Sequence, residues 1–266
     1  MKIAILQMDV KMAQNFADCE QNFIRARELI DRALKRGADV AVLPEAFNMG
    51  FCVQNFKRLA DAGAVRTKGF LSEISQKNGA VLIGGAINSR QDKIYNSAFI
   101  YQNGAEILRY DKIHAFSLAR ENKIVSSGDK LGICEIKFQN CAVKIGVVIC
   151  YDLRFPELVR RLAREDISVL FLPAQWPTVR EMHWRVLTQA RAIENQIFLA
   201  AANGSGAFAN GLPLAGRSVI LDPWGERLAE AADGETILTA DCDLTVREKI
   251  RREINVFADR RPDLYG

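Results

Sequence analysis

The sequence has 266 residues, 49% of them hydrophobic, so the chain can bury a large core and is expected to fold as one domain over residues 1–266. Its 36 basic and 32 acidic residues give a formal net charge of +4, and this near balance argues against a nucleic-acid-binding protein. The apolar runs are too short to span a membrane, and the amino-terminal stretch predicts a buried strand rather than a signal peptide.

Short apolar runs alternate with longer amphipathic stretches along the chain. In the first half, the pattern predicts strands at residues 2–7, 40–43, 81–86, 94–101 and 107–110, a helix over 17–35 and a short helix over 70–78. In the second half, it predicts a hairpin of strands at 135–138 and 143–149, strands at 169–172, 197–203, 217–221 and 235–241, and helices over 155–164 and 179–194. Buried strands flanked by helices, mixed with hairpins, predict an α/β (α+β) fold of layered sheets with helices on their outer faces.

Cys150 directly follows a predicted buried strand and precedes a turn and a helix. A lone cysteine is more often a small core residue than a nucleophile. However, ligands bind at the carboxyl ends of strands in α/β folds, and a strand–turn–helix junction has free backbone N–H groups that favour a thiolate and an oxyanion. This position makes Cys150 a candidate nucleophile.

Glu45 and Lys112 occupy similar positions just beyond predicted strands. Glu45 could be an exposed loop carboxylate, but its neighbours are largely apolar, and such surroundings raise the pKa of a carboxyl group as a general base requires. Lys112 could equally pair with a surface acid, and its spacing does not decide between the two interpretations. Amide hydrolysis needs a nucleophile, a proton acceptor and a stabiliser of the oxyanion, and cysteine, glutamate and lysine can fill these roles.

The composition gives little support for a metal site. The six cysteines are scattered without a Cys-x-x-Cys motif, and the chain has only two histidines. We therefore expect reduced cysteines, a cytoplasmic location, and chemistry that uses neither a metal nor an organic cofactor.

Several segments resemble the signature segments of the nitrilase-like (carbon–nitrogen hydrolase) superfamily. They are Leu-Pro-Glu-Ala-Phe-Asn-Met-Gly at 43–50, Tyr-Asp-Lys-Ile-His at 110–114 and Gly-Val-Val-Ile-Cys-Tyr-Asp-Leu-Arg-Phe-Pro-Glu at 146–157, and the likeness extends to Gln-Ala-Arg-Ala-Ile-Glu-Asn-Gln at 189–196. The resemblance covers nearly the whole chain, and the motifs together are highly specific. It implies a four-layer α-β-β-α sandwich with Glu45 as base, Lys112 as the charged stabiliser and Cys150 as nucleophile.

The resemblance also implies a second glutamate that helps to position the lysine and the substrate. Glu121 is our preferred residue because it falls in a loop, whereas Glu135, in the same interval, lies on a predicted strand. The backbone N–H of Tyr151 is expected to hold the oxyanion together with Lys112.

The residues after the cysteine distinguish branches of the superfamily. Nitrile-cleaving members typically place Trp-Glu there, whereas Tyr-Asp-Leu-Arg-Phe-Pro in this chain, with Gln-Trp-Pro at 175–177, most resembles the omega-amidase branch. That branch hydrolyses the side-chain amide of small dicarboxylic monoamides, such as 2-oxoglutaramate, and releases ammonia. We expect Gln175 and Trp176 to contact the substrate. Arg154 or Arg180 is expected to bind its carboxylate in two-point fashion, although Arg154 could equally pair with a nearby acid.

Other functions remain open at this stage. An N-carbamoyl-amide hydrolase, or an amidase for another acyl group, would use the same chemistry and would be distinguished by substrate assays. A non-catalytic binding protein could retain the fold, although the presence of all three catalytic residue types argues against it. A zinc enzyme has the least support, and a chelator should abolish its activity.

A homodimer is a further expectation, since members of the superfamily commonly pair through helices that flank the active-site cysteine. The predicted helix over 155–164 follows that cysteine directly. The tail at 254–265 carries apolar residues on a segment too short to build its own core, so it is expected to lie across a partner or across its own body. The partners implied are therefore a small-molecule amide and a second copy of the chain, without nucleic acid or membrane.

Overall fold

The structure is a computed structural model that describes residues 1–139 and 141–265. Its strands are β1 (Lys2–Gln7), β2 (Val40–Val42), β3 (Asp61–Ala62), β4 (Val81–Arg90), β5 (Lys93–Gln102), β6 (Ala105–Asp111), β7 (Ile133–Phe138), β8 (Cys141–Val147), β9 (Val169–Ala174), β10 (Phe198–Asn203), β11 (Val219–Leu221), β12 (Arg227–Glu230) and β13 (Thr236–Asp241). Its helices are α1 (Phe16–Lys35), α2 (Phe56–Leu59), α3 (Val65–Asn78), α4 (Pro156–Ala163), α5 (Glu181–Asn195), α6 (Thr245–Glu253) and α7 (Pro262–Tyr265). Short 3₁₀ helices occur in the connections at Val53–Asn55, Ser117–Ala119, Glu121–Lys123, Cys150–Arg154 and Thr178–Arg180.

The strands form two sheets that pack face to face. The first has the order β13-β1-β2-β4-β5-β6, with β3 paired to β4, and the second has the order β12-β11-β10-β9-β8-β7. Parallel pairing joins β1, β2 and β4 in one sheet and β8, β9 and β10 in the other. Because successive side chains alternate between faces, residues such as Ile3, Ile5 and Phe171 point into one shared core between the sheets.

Helices cover the outer faces of both sheets. Phe23 of α1 and Phe70 of α3 belong to the core of the first sheet's outer face, where their rings meet edge to face with centroids 5.2 Å apart. Leu162 of α4 and Trp184 of α5 belong to the corresponding core of the second sheet. The layers therefore follow the order helix, sheet, sheet, helix, which confirms the predicted α-β-β-α sandwich. None of the helices in the described part of the chain is both long and apolar enough to cross a membrane.

Predicted and observed elements differ mainly at their ends. The helix predicted over 70–78 begins at Val65, because the Asp61 carboxylate accepts the N–H groups of Arg66 and Thr67 at 3.2 and 2.7 Å and caps an extra turn. The strand predicted to reach residue 149 ends at Val147, and the helix predicted over 179–194 starts as a 3₁₀ turn and becomes α-helical at Glu181.

Three elements near the carboxyl terminus, β12, α6 and α7, were not predicted. Only Arg247 and Ile250 are buried in α6, so its sequence has a weak apolar period. Arg247 forms an ion pair with Asp166, which follows α4, and Arg251 donates to the same carboxylate at 2.7 Å. Contacts with the rest of the fold thus stabilise α6, although the apolar pattern of its own sequence does not predict a helix.

The tail after α6 lies on its own chain as far as Phe257. The Phe257 ring faces the guanidinium groups of Arg160 and Arg251, whose central carbons are 5.2 and 4.5 Å from its centroid. Gln196 donates from Nε2 to the carbonyl oxygen of Ile254 at 2.6 Å. Of the two places expected for the tail, its own body is the one observed for this part of it.

Candidate active site

The candidate site lies where the carboxyl ends of four strands meet. Glu45 follows β2, Lys112 follows β6, Cys150 follows β8 and Gln175 follows β9. Because the two sheets pack face to face, these strand ends converge on one cavity of about 500 Å³ that all four residues line. The structure therefore brings together the three predicted catalytic residues, which lie far apart in sequence.

Glu45 is completely buried, so the alternative of an exposed loop carboxylate is wrong. Gly85 of β4 allows this position, because a Cβ atom there would lie 2.8 Å from the Glu45 Cα. The Glu45 Oε1 accepts hydrogen bonds from Lys112 Nζ and Asn96 Nδ2, each at 2.8 Å. Its Oε2 accepts the backbone N–H of Gln175 at 3.0 Å. The carboxylate is thus held in one orientation by three hydrogen-bond donors.

Lys112 is also buried and contacts two carboxylates rather than a surface acid. Its Nζ lies 2.8 Å from Glu45 Oε1 and 3.0 Å from Glu121 Oε2. Glu121 is fully buried in a short 3₁₀ helix, whereas Glu135 is exposed on β7. The residue that contacts the lysine is therefore the preferred Glu121. The two oxygens of Glu121, at 3.0 and 3.3 Å from Nζ, can share one N–H bond of the ammonium group, and Glu45 takes a second, so that a third can serve a ligand.

Cys150 occupies a sharp turn between β8 and α4. Its φ of 45° lies in the left-handed region, which non-glycine residues adopt mainly at functional or strained positions. Its Sγ is 3.9 Å from the carbonyl oxygen of Gln175. The 3₁₀ helix begins at Cys150, so the N–H of Tyr151 belongs to the first turn, which has no acceptor within the helix.

The Asp152 carboxylate ties the cysteine turn to the segment that carries the lysine. Asp152 accepts the N–H of Ile149 at 3.0 Å, the hydroxyl of Tyr110 at 2.7 Å and the N–H of His114 at 2.9 Å. The His114 Nδ1 is also 2.8 Å from Asp152, and its ring stacks on Phe155 at 3.5 Å between centroids. Asp152 thus fixes the distance between the end of β6 and the turn at Cys150.

Burial and the neighbouring charges shift the pKa values of the site's side chains, in some cases in opposite directions. Burial raises the pKa of Glu45, and the charge of Glu121 adds to this, while Lys112 opposes both. Burial alone would lower the pKa of Lys112, but the adjacent Glu121 and Glu45 charges raise it, so the amine stays protonated. Burial, followed by the charge of Glu45, raises the pKa of the Cys150 thiol well above its usual value. These shifts favour a neutral Cys150 thiol and a protonated Lys112 amine beside the carboxyl group of Glu45.

Gln175, predicted as a substrate-contacting residue, lines the cavity but also supports Glu45. Its Nε2 donates to the Glu45 carbonyl oxygen at 2.6 Å, and its Oε1 accepts the N–H of Phe51 at 3.2 Å. Both polar atoms of its side chain therefore hold the segment that carries the carboxylate. Gln175 contributes mainly to the position of Glu45.

Trp176, Arg154 and Arg180 form one wall of the cavity. The guanidinium of Arg154 lies 4.6 Å from the centre of the Trp176 ring, and its Nη1 is 3.3 Å from Nδ1 of His183. The indole N–H of Trp176 donates to the Arg180 carbonyl oxygen at 2.8 Å. Arg154 forms no salt bridge with any acid in residues 1–139 or 141–265, so the alternative of a carboxylate partner for it is wrong.

Asn96 and Asp152 belong to the site but were not identified from the sequence. Asn96 lies inside β5, where a polar residue on an apolar strand face is the one signal that could have drawn attention to it. Asp152 lies within the motif at 146–157, and no sequence signal sets it apart from its neighbours there. Within the described residues, no group of three or more histidine, cysteine, aspartate or glutamate side chains is arranged to hold a metal ion. The site instead offers a thiol, a carboxylate and an ammonium group around one cavity, a set suited to acyl transfer.

Comparisons with known proteins agree with this chemistry. The sequence model of the carbon–nitrogen hydrolase family matches residues 2–252. The 2-oxoglutaramate amidase of Bacillus subtilis (strain 168) is 37% identical over 99% of this chain and 98% of its own length. The omega-amidase NIT2 of Xenopus tropicalis is 32% identical over 92% of this chain and 91% of its own.

Solved structures give the same result for the fold. The crystal structure of Saccharomyces cerevisiae Nit3, a member of branch 10 of the nitrilase superfamily, matches with a TM-score of 0.87 and 30% identity over 96% of this chain and 94% of that one. A carbon–nitrogen hydrolase from Helicobacter pylori G27 matches with a TM-score of 0.88 and 26% identity over 100% of this chain and 96% of that one. The chain belongs to the carbon–nitrogen hydrolase family and is an enzyme that hydrolyses the carbon–nitrogen bond of amides.

Proposed function

We propose that this enzyme is an omega-amidase that hydrolyses the terminal amide of a small dicarboxylic monoamide, such as 2-oxoglutaramate, through a thioester on Cys150. The catalytic roles belong to three residues: Cys150 is the nucleophile, Glu45 the general base and acid, and Lys112 the oxyanion stabiliser. Glu121 supports Lys112 from its other side. The distances of 2.8 and 3.0 Å from Lys112 Nζ to Glu45 and Glu121 support these assignments.

The first half of the reaction forms the thioester. The Cys150 sulfur attacks the amide carbon while its proton moves to Glu45, so that a C–S bond forms and the carbonyl electrons move to oxygen. The free N–H bond of Lys112 and the backbone N–H of Tyr151 hold that oxyanion. When the intermediate collapses, the C–N bond breaks and Glu45 returns the proton to the nitrogen, which leaves as ammonia.

The second half releases the acid. Glu45 accepts a proton from water as the water oxygen attacks the thioester carbon. The C–S bond then breaks and the proton returns to the sulfur of Cys150. Both halves use the same three side chains, and neither consumes a group other than amide and water.

The observation that carries the substrate assignment is the charge of the cavity wall. The lining residues include four basic side chains, Lys112, Arg120, Arg154 and Arg180, and one acidic side chain, Glu45. Lys112 is paired with glutamates, whereas neither Arg154 nor Arg180 has a carboxylate partner in the described ranges. A carboxylate at the far end of a small amide would supply the missing partner.

Arg154 is the arginine best placed for this role. Burial lowers the pKa of Arg154, and the positive charge of Arg180 acts in the same direction. A substrate carboxylate between the two guanidinium groups would offset both effects on the Arg154 pKa, because it would neutralise the local positive charge. The relatives named above, a 2-oxoglutaramate amidase and an omega-amidase, support the same substrate class.

Ammonia release from charged and neutral amides at equal concentration tests this proposal. We expect kcat/KM for succinamate or 2-oxoglutaramate to exceed that for butyramide, because only the anionic substrates meet the arginines. An Arg154→Gln variant should lose about tenfold or more on succinamate, the scale of one charge-assisted hydrogen bond, and keep its activity on butyramide. Equal or better turnover of butyramide by the unmodified enzyme would overturn the omega-amidase assignment.

We also infer a homodimer formed through α5 rather than through α4. Met182, Val186 and Ile193 lie on one face of α5 and are 75%, 57% and 45% exposed. Trp224 is also exposed, and it precedes Gly225, which lies against Ile193. The exposed positions of α4, by contrast, include Glu157 and Arg161. An apolar stripe of this kind on a solvent-facing helix is typical of a protein–protein interface.

We further propose that the chain is a single domain and acts in the cytoplasm. The match of one family model to residues 2–252 and the core shared by the two sheets support one domain. All six cysteines are free thiols, which is consistent with a reducing compartment.

A further inference from the structure

Asn96 contacts both buried glutamates of the site and the backbone of Lys112. It is fully buried in the middle of β5, and its Nδ2 donates to Glu45 Oε1 at 2.8 Å and to Glu121 Oε1 at 2.9 Å. Its backbone oxygen accepts the N–H of Lys112 at 2.8 Å. One residue therefore fixes the two carboxylates and the backbone of the lysine between them.

The chemistry of its partners determines the orientation of the Asn96 amide. Ionised carboxylate oxygens only accept hydrogen bonds, so the NH₂ group of the amide must face them. The opposite atom, Oδ1, is buried without a hydrogen-bond partner in the part of the chain that the structure describes. An orphaned buried acceptor is destabilising, so the amide is retained for its two donors.

The two oxygens of Glu45 differ in the number of hydrogen bonds that they accept. Oε1 accepts from both Asn96 Nδ2 and Lys112 Nζ, which occupies both of its lone pairs. Among the N–H groups of the described residues, only the backbone N–H of Gln175 donates to Oε2, which leaves one lone pair of this oxygen free of an N–H donor. A proton on Oε1 would have to displace one of two donors, whereas a proton on Oε2 displaces none.

We propose that Asn96 is a positioning residue that saturates Oε1 of Glu45 and so makes Oε2 the atom that carries the proton through the reaction. This inference rests on the proposed roles of Glu45, Lys112 and Cys150. The thiol proton moves to Oε2 as the C–S bond forms, and from Oε2 to nitrogen as the C–N bond breaks. In the second half, a water proton follows the same route through Oε2 to the sulfur.

Removing the donors of Asn96 should change the acid limb of the pH profile. In an Asn96→Ala variant, ionised Glu45 loses a hydrogen bond in the presence of Lys112, Glu121 and the Cys150 thiol, so its pKa rises further. We expect the acid limb of kcat/KM on succinamate to move up by about one pH unit and kcat at a pH well below the acid-limb midpoint to fall about tenfold, with KM changed less than about twofold. Asn96→Ser keeps one hydroxyl donor and should show an intermediate shift of the acid limb. This variant also keeps the test possible if Asn96→Ala folds poorly.

Asn195→Ala is the matched control for the loss of stability that follows when a buried asparagine is truncated and leaves a cavity. Asn195 is equally buried, donates from Nδ2 to the Arg191 carbonyl oxygen at 3.0 Å and also has an unpartnered Oδ1 within the described residues, but it lies on α5. This variant should lower the melting temperature and leave the acid limb in place. A shift as large as that of Asn96→Ala would assign the effect to general destabilisation and overturn the proposal.

Alkylation of Cys150 by iodoacetamide separates this proposal from the proposed function, because it needs no amide substrate. Its rate should rise with pH as Glu45 loses its proton, and the midpoint should lie higher in Asn96→Ala and Asn96→Ser than in the unmodified enzyme. If the unmodified enzyme released no ammonia from any monoamide, the proposed function would fail while the alkylation midpoints would still test Asn96. Unchanged midpoints and acid limbs in both variants would overturn the role of Asn96 alone.

Discussion

At the scale of single residues, Lys112 has two roles. It must neutralise two buried glutamates, and it must also hold the oxyanion. Burying a carboxylate costs several kcal/mol unless a cation or hydrogen bonds compensate for it. Glu45 and Glu121 are both fully buried, and both contact the same ammonium group. The lysine should therefore matter for folding as well as for catalysis.

Lys112→Ala tests both roles. We expect kcat/KM for succinamate to fall by about 10²–10³, the scale of one oxyanion donor, and the free energy of unfolding to fall by about 3–5 kcal/mol because two buried carboxylates lose their cation. The measurements are ammonia release and urea denaturation.

Lys68→Ala is the control for the lysine substitution. Lys68 pairs with Glu106 at 3.1 Å near the surface, where both side chains are half-buried, and an ion pair that water still reaches contributes about 1 kcal/mol or less. The control should keep full activity. If Lys112→Ala behaved like Lys68→Ala in both assays, Lys112 would be an ordinary structural lysine.

At the scale of elements, the site depends on a connection between the end of β6 and the turn after β8. Asp152 makes that connection through Tyr110, His114 and the N–H of Ile149. Its carboxylate accepts all of these groups, so an amide of the same shape would place NH₂ hydrogens against N–H hydrogens. The position of Cys150, with its φ of 45°, therefore depends on a residue that is not among those lining the cavity.

Asp152→Asn should cost about 2 kcal/mol of stability, the scale of lost hydrogen bonds to a charged group, and should lower kcat more than it raises KM. Thermal unfolding and steady-state kinetics on succinamate measure the two effects. Asp222→Asn is the control, because Asp222 also accepts two backbone N–H groups, at 2.8 and 2.9 Å, but in an exposed turn. Equal effects of the two substitutions would contradict a special role for Asp152.

The sequence was informative about strand ends and much less so about what joins them. Local pattern placed Glu45, Lys112 and Cys150 just beyond predicted strands, because a strand that enters a core must be apolar, whereas their catalytic roles came from the resemblance of their segments to the signature segments of the family. Asn96 and Asp152 could not be identified in this way, because most of their partners lie in distant segments of the chain and only the folded sheets bring them together. The helix α6 was missed for a similar reason, since an ion pair of Arg247 with distant Asp166 holds it.

For the whole molecule, the proposed dimer depends on the apolar stripe of α5. Val186→Glu would place a charge in the centre of that stripe and should yield a monomer by light scattering at micromolar concentration. Val65→Glu is the control, since Val65 is 72% exposed on α3 and should leave the dimer intact. A monomeric mass for the unmodified protein would refute the dimer, and a dimer that survived Val186→Glu would refute this interface.

The central claim is that Cys150 carries the acyl group. The most direct measurement is intact mass spectrometry of the enzyme mixed with succinamate and quenched rapidly in acid, followed by peptide mapping. We predict a succinyl adduct on Cys150, no adduct and no ammonia release with Cys150→Ser, and normal turnover with Cys52→Ser, a cysteine that lines the same cavity. An adduct on another residue, or ammonia release by Cys150→Ser at a rate comparable to that of the unmodified enzyme, would contradict the account.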